Sequence, residues 1–358
     1  MASTAVPPEL TFTGKVMLIP HTGRLISSVI SRIFTAPFTS GAKANTYLKD
    51  IVFAALRTHL AYLTPAQEQW LNGNTEAVYL DLTKHAKFQP DTDVLPSGLK
   101  VHWLGTKTAK KVIVYFHGGG YVLAAGPGHL QWLFDLQNDL SKDHSVSAIV
   151  PSYTLAPHAQ YPEQLKQGVE CLNWLLNDLK KKPSDIILAG DSAGGNFALA
   201  VLSHVLHPHT DIAEVKLSEP LAGALLISPW SNIGTLDKVQ HRNQGSDYVT
   251  PKAADRWASL FLGDKPVDNY NTPLHADSNW FSGLDSAVRD IFVWGGGGEV
   301  LIDSIDGLTK KLKEAHPRVQ YFVQAGASHE DFIIDRTMGF KQKSESTKVI
   351  ESWLAQIL

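Results

Sequence analysis

Short apolar runs separated by stretches of helical periodicity dominate this chain from about residue 77 onward. The runs V-I-V-Y-F at residues 112–116, I-I-L-A-G at 186–190 and A-L-L-I-S at 224–228 are apolar at nearly every position. A strand needs hydrocarbon on both of its faces when helices cover both sides of its sheet. Strand, crossover helix and parallel strand in succession therefore predict an α/β architecture with a mostly parallel sheet.

The same pattern places the individual strands and the later helices. We predict strands at residues 78–82, 99–104, 112–116, 147–150, 186–189, 224–227, 291–294 and 319–323. We predict the later helices at residues 131–140, 162–181, 193–206, 302–315 and 343–357. Each of these helices lies between two strands or after the last strand, as crossover connections require.

The composition excludes several classes of protein. With 44% hydrophobic and 19% charged residues among 358, the chain is not disordered by charge and can bury a sizeable core. Its 32 Lys and Arg residues against 35 Asp and Glu give a net charge of −3, so we expect no nucleic acid partner. The one cysteine, Cys171, excludes an intrachain disulfide and a Cys-rich metal site. We therefore expect a reducing, cytoplasmic location.

The N-terminal segment is predicted to be helical. It has no basic stretch before an apolar one, so we expect no signal peptide, and charges and prolines interrupt residues 16–38, so we expect no stable membrane span. A second helix is predicted at residues 44–63, followed by a third that Thr64 caps with Gln67 as its capping-box partner. In the first helix, one apolar face is formed by Leu25, Ile26, Val29, Ile30 and Ile33. We favour packing of this face on the chain's own domain, and peripheral membrane contact is the alternative.

The sequence G-D-S-A-G at residues 190–194 matches the G-x-S-x-G pattern of a nucleophilic serine. It lies directly between a predicted strand and a predicted apolar helix. A nucleophile at such a sharp turn requires small residues on both sides, and the helix N-terminus offers N–H groups to developing negative charge. Ser192 is therefore the candidate nucleophile.

A second glycine-rich motif, H-G-G-G-Y at residues 117–121, directly follows another predicted strand. Glycines allow backbone N–H groups to approach a substrate oxyanion without obstruction by side chains. We expect Gly118, Gly119 and Ala193 to donate to that oxyanion. His117 is interpreted as a structural residue that holds the loop.

The candidate base and acid follow the last two predicted strands. His329 lies after the final strand, where ligands meet the carboxyl ends of an open α/β sheet, and the order Ser, acid, His is obeyed. Glu299 and Asp303 both lie in the preceding strand's loop. We favour Glu299 as the acid because it is nearer the strand end, and Asp303 is the alternative.

These motifs together resemble the hormone-sensitive-lipase-like family of α/β-hydrolases, which includes carboxylesterases. Further similarities are Y-T-L-A-P at residues 153–157, where the family has Y-R-L-A-P, and S-P-W at residues 228–230. The family's acid opens a D-P-L-R-D segment, which here reads E-V-L-I-D at residues 299–303. Its final H-x-F is one residue longer here, as H-E-D-F at residues 329–332.

The resemblance implies a fold and an organisation for the whole chain. We expect an α/β-hydrolase fold with a mostly parallel eight-stranded sheet, flanked by helices and capped by the N-terminus and an internal insertion. Residues 1–75 would form the helical cap and residues 76–358 the catalytic domain, with residues 231–290 as a second part of the cap. Phe34, Phe38, Leu48 and Phe53 would make the active-site pocket apolar.

The function implied is hydrolysis of apolar carboxylic esters or lactones through an acyl-enzyme, with a Ser-Glu-His triad and no metal or organic cofactor. Two other functions stay open. The first is acyl transfer or lactonisation in the biosynthesis of a natural product. The second, which we favour less, is a ligand receptor without catalysis, although here all three triad positions keep competent residues. A homodimer is also expected from the family.

Overall fold

A mixed sheet of eight strands forms the centre of the protein, which is described here by a computed structural model. The structure describes residues 9–234 and 243–358. The strands are β1 (Thr92–Val94), β2 (Lys100–Leu104), β3 (Lys111–Phe116), β4 (Val146–Ser152), β5 (Ile186–Asp191), β6 (Gly223–Ile227), β7 (Ile291–Gly296) and β8 (Val319–Gln324).

The order of the strands in the sheet is β1-β2-β4-β3-β5-β6-β7-β8. β2 is antiparallel to both of its neighbours, β1 and β4. All the other pairs are parallel, in registers such as Val112 opposite Ile186 between β3 and β5. The predicted fold class is therefore confirmed. Because β3, β5, β7 and β8 run in one direction, the loops that follow them meet at the same edge of the sheet.

The helices lie on both faces of this sheet and at its carboxyl edge. They are α1 (Phe12–Val16), α2 (Leu18–Thr35), α3 (Tyr47–Tyr62), α4 (Pro65–Asn72), α5 (Thr75–Ala86), α6 (Pro127–Leu140), α7 (Glu163–Asn177), α8 (Ala193–Leu206), α9 (Pro251–Leu262), α10 (Leu284–Ala287), α11 (Ile302–Ala315), α12 (Asp331–Thr337) and α13 (Glu345–Ile357). Among the described residues, no helix has the length and apolarity to cross a membrane.

The apolar strands supply two separate cores. Along β3, Val112, Val114 and Phe116 point into the core that α7 and α8 cover. Ile113 and Tyr115 point into the opposite core, which α6 and α13 cover. This alternation explains the sequence of β3, because each successive side chain is buried on one face or the other.

One predicted strand is wrong: residues 78–82 belong to helix α5. The Asn74 side chain accepts a hydrogen bond from the N–H of Ala77 and caps this helix. Tyr79 and Leu82 are buried three residues apart on one side of it, which is a helical spacing. The eight strands are completed instead by β1, a short strand that pairs with β2.

The N-terminal helices are held to the rest of the chain by buried polar contacts. The Lys49 ammonium of α3 lies 2.5 Å from Asp331 of α12. The Arg256 guanidinium of α9 lies 2.5 Å from Glu68 of α4. The predicted capping box at the start of α4, formed by Thr64 and Gln67, is present. The predicted division between residues 75 and 76 stays a prediction.

Candidate active site

Ser192 occupies a strained turn between β5 and α8. Its backbone has φ 51° and ψ −118°, outside the regions that L-residues favour. The turn requires glycine on both sides: a Cβ on Gly194 would overlap the carbonyl oxygen of Phe116, and one on Gly190 would overlap that of Gly194. The close approach of α8 to β3 and β5 therefore explains the G-x-S-x-G pattern, and it brings Ser192 to the carboxyl edge of the sheet.

The loop after β3 contains the three glycines of the second motif. Gly119 has φ 102° and Gly120 has φ 61°, and a Cβ on Gly119 would lie 2.7 Å from the carbonyl oxygen of Leu123. Gly119 and Gly120 line the same cavity as Ser192. Gly118 lies against the side chain of Asp191. Ala193 is the first residue of α8, so its N–H is one of those with no acceptor within the helix.

The imidazole of His329 is paired with Glu299. Its Nδ1 lies 2.6 Å from Oε2 of Glu299, and both side chains are buried. The other oxygen, Oε1, accepts hydrogen bonds from the Ser228 hydroxyl at 2.9 Å and the Gly296 N–H at 2.6 Å. These contacts orient the Glu299 carboxylate toward Nδ1. The alternative acid, Asp303, lies in the first turn of α11.

His117 has structural contacts. Its Nδ1 lies 2.8 Å from the carbonyl oxygen of Gly118, and its Nε2 lies 3.1 Å from the Thr75 hydroxyl. The Tyr153 ring stacks on the imidazole, and the Tyr153 hydroxyl donates to the His117 carbonyl at 2.7 Å. Burial lowers the pKa of His117 to about 3, so the ring is neutral and holds the glycine loop through hydrogen bonds.

Sequence reasoning missed a buried cluster beside the candidate nucleophile, formed by His129, Asp191 and Glu330. Nε2 of His129 lies 3.1 Å from Oδ2 of Asp191 and 3.6 Å from Oε2 of Glu330. Burial and the neighbouring Glu330 raise the pKa of Asp191 to about 7. Burial alone would lower the pKa of His129, but the Asp191 and Glu330 carboxylates outweigh it and raise that pKa to about 10. His129 is therefore a half-buried cation between two buried carboxyl groups.

Two sequence features lie at this cluster. Asp191 is the variable residue of the G-x-S-x-G motif, and Glu330 occupies the extended H-E-D-F segment after His329. His129 has no local motif that marks it. The three side chains offer metal-ligand atoms within 4.8 Å of one another, but His129 and Asp191 already bind each other directly. We therefore derive no metal-dependent step from them.

An apolar cavity of about 330 Å³ joins Ser192 and His329. Helices α2 and α3 contribute Leu25, Leu56 and Leu60 to its walls. The segment between β6 and β7 contributes Tyr248, Val249 and Trp257.

The predicted lining residues are wrong. Phe34 and Phe38 are 71% and 87% exposed, and Leu48 is also exposed, because these side chains point away from the α2–α3 contact. Phe53 is buried in a separate cluster with Ile334.

The sheet order, the strained serine turn and the cavity at the carboxyl edge define the α/β-hydrolase class. A family model described as the alpha/beta hydrolase fold matches residues 113–333, so the chain belongs to this family. The resemblance to hormone-sensitive-lipase-like carboxylesterases is confirmed at the level of family.

Individual relatives are similar over part or most of the chain. Steryl acetyl hydrolase 1 of Saccharomyces cerevisiae is 26% identical over 60% of this chain and 51% of its own length. Carboxylesterase 20 of Arabidopsis thaliana is 25% identical over 63% of this chain and 69% of its own length. The chain thus spans about half of the yeast relative. A crystal structure of an esterase from the bacterial hormone-sensitive lipase family has a TM-score of 0.63 at 23% identity, covering 94% of this chain and 98% of that one.

Proposed function

We propose that this protein is a serine carboxylesterase that hydrolyses apolar esters through an acyl-enzyme. The observation that carries the proposal is the 2.6 Å contact between His329 and Glu299 beside a strained serine turn, with Ser192 and His329 lining one cavity. A nucleophile, a base and an acid that orients the base are the parts that acyl transfer to water requires.

In the first step, the Ser192 hydroxyl attacks the ester carbonyl carbon while Nε2 of His329 takes its proton. Glu299 holds the imidazole by Nδ1 and stabilises the positive charge that develops on it. The N–H groups of Gly118, Gly119 and Ala193 donate to the oxyanion of the tetrahedral intermediate. The C–O bond then breaks, and the proton on His329 goes to the leaving alcohol. Water enters, gives a proton to His329 and attacks the acyl-enzyme, which releases the acid and restores Ser192.

The size and lining of the cavity indicate the substrate class. Its volume of about 330 Å³ is at the lower end of the range of small-molecule pockets, roughly 300 to 1,000 Å³. Leucine and tryptophan side chains supply its walls and favour apolar groups. One relative is named for the hydrolysis of steryl acetates. We therefore favour esters of a short acyl group with an apolar alcohol, the alcohol extending toward the cap.

Hydrolysis of p-nitrophenyl esters from acetate upward tests the function. We expect hydrolysis by the wild type, and a loss of at least about a thousandfold in kcat for Ser192→Ala. Ser231→Ala is the matched control because Ser231 is also buried but its hydroxyl donates to the Ser304 carbonyl, outside the cavity lining. A fluorophosphonate probe should label the wild type and Ser231→Ala, but not Ser192→Ala. Equal rates for wild type and Ser192→Ala would contradict the proposal.

A further inference from the structure

Helix α2 presents two different apolar faces. Its inner face lies on α3: the Arg32 guanidinium binds Asp50 through two hydrogen bonds of 2.8 and 2.9 Å, and Leu25 lines the cavity. The side chains at residues 26, 30 and 33 do not join this contact. The single apolar face predicted from the sequence is thus divided, with Leu25 and Val29 half-buried and the isoleucines exposed.

The exposed isoleucines form one continuous row along the helix. Ile26, Ile30 and Ile33 follow Ile19 at spacings of seven, four and three residues. In an α-helix, these spacings place all four side chains on one stripe. Their exposed fractions range from 72% at Ile19 to 40% at Ile33. We call this row the outer stripe.

Further exposed apolar side chains lie at both ends of α2. Phe12 and Met17 lie before its first turn, and Phe34 and Phe38 lie at and beyond its last turn. An apolar surface of this extent on a single chain indicates an interaction site, since scattered single apolar residues would not align on one helix.

The charge of the same segment indicates what this surface contacts. Residues 10–49 contain five Lys and Arg residues and no Asp or Glu. Arg32 and Lys49 are engaged in ion pairs, and Arg24 lies over the Tyr62 ring at 4.9 Å. Lys15, which lies 5.8 Å from the centre of the Trp70 ring, and Lys43 are both exposed. An apolar helical stripe with an exposed cation beyond each end of its helix is complementary to an anionic lipid surface, which combines acyl chains with negative headgroups.

We propose that the outer stripe docks this protein on the surface of an anionic lipid bilayer, with α2 lying in the plane of the interface. The isoleucines enter the boundary between headgroups and acyl chains, and Lys15 and Lys43, which lie before and after α2, face the phosphate groups. Leu25 lines the cavity from the inner face of α2, so only the width of one helix, about 10 Å, separates the lipid from the cavity. This short path would deliver apolar esters from the membrane, a step that rests on the proposed function.

Flotation with large unilamellar vesicles tests the docking. Vesicles of phosphatidylcholine alone are compared with vesicles containing roughly one third phosphatidylserine, at low and high salt. We expect the wild type to bind the anionic vesicles, and to bind them more weakly at high salt. Serine substitution at all four positions should reduce binding at least about a hundredfold. The variants are Ile19→Ser, Ile26→Ser, Ile30→Ser and Ile33→Ser, combined in one protein.

A second variant tests the charges and does not depend on the first variant folding. Lys15→Glu and Lys43→Glu together should weaken vesicle binding roughly 25-fold or more, since each cation at an anionic surface strengthens it about fivefold. Matched controls replace the same kinds of exposed residue elsewhere on the chain. For the stripe they are Val94→Ser, Leu179→Ser, Val267→Ser and Val323→Ser, and for the charges Lys84→Glu and Lys265→Glu.

Several results would overturn the docking. The wild type could fail to bind anionic vesicles, or the stripe variant could bind them as well as the wild type does. The matched controls could also lose as much vesicle binding as the stripe and charge variants. The stripe would be assigned to a second copy of the chain if the wild type did not bind vesicles, was a dimer in analytical ultracentrifugation, and became a monomer in the stripe variant.

Hydrolysis of a water-soluble acetate separates the two proposals. All variants should hydrolyse this acetate at the rate of the wild type. If the wild type does not hydrolyse it, the esterase function is overturned, and the vesicle experiment still decides the docking.

Discussion

Nε2 of His329 lies 3.3 Å from Oε1 of Glu330, while Nδ1 of the same ring lies 2.6 Å from Glu299. Two buried carboxylates thus flank the candidate base. Nε2 is the nitrogen that must take the proton of Ser192, so Glu330 lies at the reacting side of the ring. Burial alone would lower the pKa of His329, but Glu330 and Glu299 together raise it well above its usual value.

The surroundings of this pair determine how the pKa of His329 responds to a substitution. The segment between β6 and β7 contributes Asp247, whose carboxylate accepts a hydrogen bond from the backbone N–H of His329 at 3.3 Å, and Tyr248, whose hydroxyl donates to Glu330 at 3.1 Å. His129 lies 3.6 Å from Glu330 on its other side, and it also contacts Asp191. The positive charge on His129 offsets part of the negative charge of Glu330, so Glu330 raises the pKa of His329 less than it otherwise would. Glu330 nevertheless lies closer to the imidazole of His329, at 3.3 Å, than to that of His129.

The first prediction is that Glu330→Gln moves the acidic limb of the pH profile. His329 accepts a proton only when it is neutral, so activity rises as the pH passes the pKa of its imidazole. Removing the adjacent negative charge lowers that pKa. The midpoint of the acidic limb of kcat/KM should therefore fall by about one pH unit or more. The measurement is kcat/KM for p-nitrophenyl acetate as a function of pH.

Glu330→Asp is the control for this prediction because it keeps the charge on a shorter side chain. Its acidic midpoint should stay closer to that of the wild type than the midpoint of Glu330→Gln does. Coinciding midpoints for wild type and Glu330→Gln would show that Glu330 does not act on the base, and a merely structural loss would lower the rate without moving the midpoint.

The second prediction concerns the acid. Glu299→Gln should reduce kcat about a thousandfold or more at neutral pH, because an amide can present its N–H to Nδ1 and hold the wrong tautomer of His329. Asp303→Asn should have a much smaller effect, since Nδ1 contacts Glu299. The two variants are compared in kcat for p-nitrophenyl acetate. A larger loss in Asp303→Asn would identify Asp303 as the acid.

The parts of this site that sequence predicts are the local ones. Ser192 and Gly119 lie in short motifs directly after strands, and the glycines of both motifs are required by close backbone contacts, to Leu123 in the Gly119 loop and to Gly194 and Phe116 in the Ser192 turn. His329 and Glu299 follow strands whose order in the chain places them at one edge. The pattern of strands and turns was therefore enough to predict that these residues lie near each other. It did not predict that Oε2 of Glu299 contacts Nδ1 of His329.

The parts that sequence did not predict depend on contacts between distant elements. His129, Asp191 and Glu330 come from α6, the end of β5 and the start of α12, so no spacing in the chain links them. The segment at residues 78–82, V-Y-L-D-L, is a short run of the kind that favours a strand, yet it lies in helix α5, which Asn74 caps. Tyr79, whose hydroxyl donates to the Trp103 carbonyl at 2.9 Å, anchors it to the sheet. Tertiary contact thus decided the local conformation.

The third prediction tests the packing behind the serine turn. Gly194→Ala should destabilise the protein by more than about 3 kcal/mol, because the added methyl would overlap the Phe116 carbonyl, which is held in β3. Gly23→Ala is the matched control: Gly23 lies inside α2 with nothing near its Cβ position, so alanine should stabilise the helix by about 0.5–1 kcal/mol. Urea denaturation measures both, and similar effects for the two variants would contradict the packing argument.

The fourth prediction distinguishes the observed cavity lining from the lining expected from sequence. Leu56 lines the cavity and Phe34 does not, although both belong to the N-terminal helices. Leu56→Ala enlarges the space beside Ser192, so kcat/KM for octanoate relative to acetate esters should rise roughly tenfold. Phe34→Ala removes a larger side chain from the surface and should leave that ratio unchanged. Because both substitutions shorten an apolar side chain on the N-terminal helices, a change of substrate preference in Phe34→Ala alone would place the acyl pocket elsewhere on these helices. If the ratio changes in Leu56→Ala alone, the inner face of α3 determines which esters reach the nucleophile.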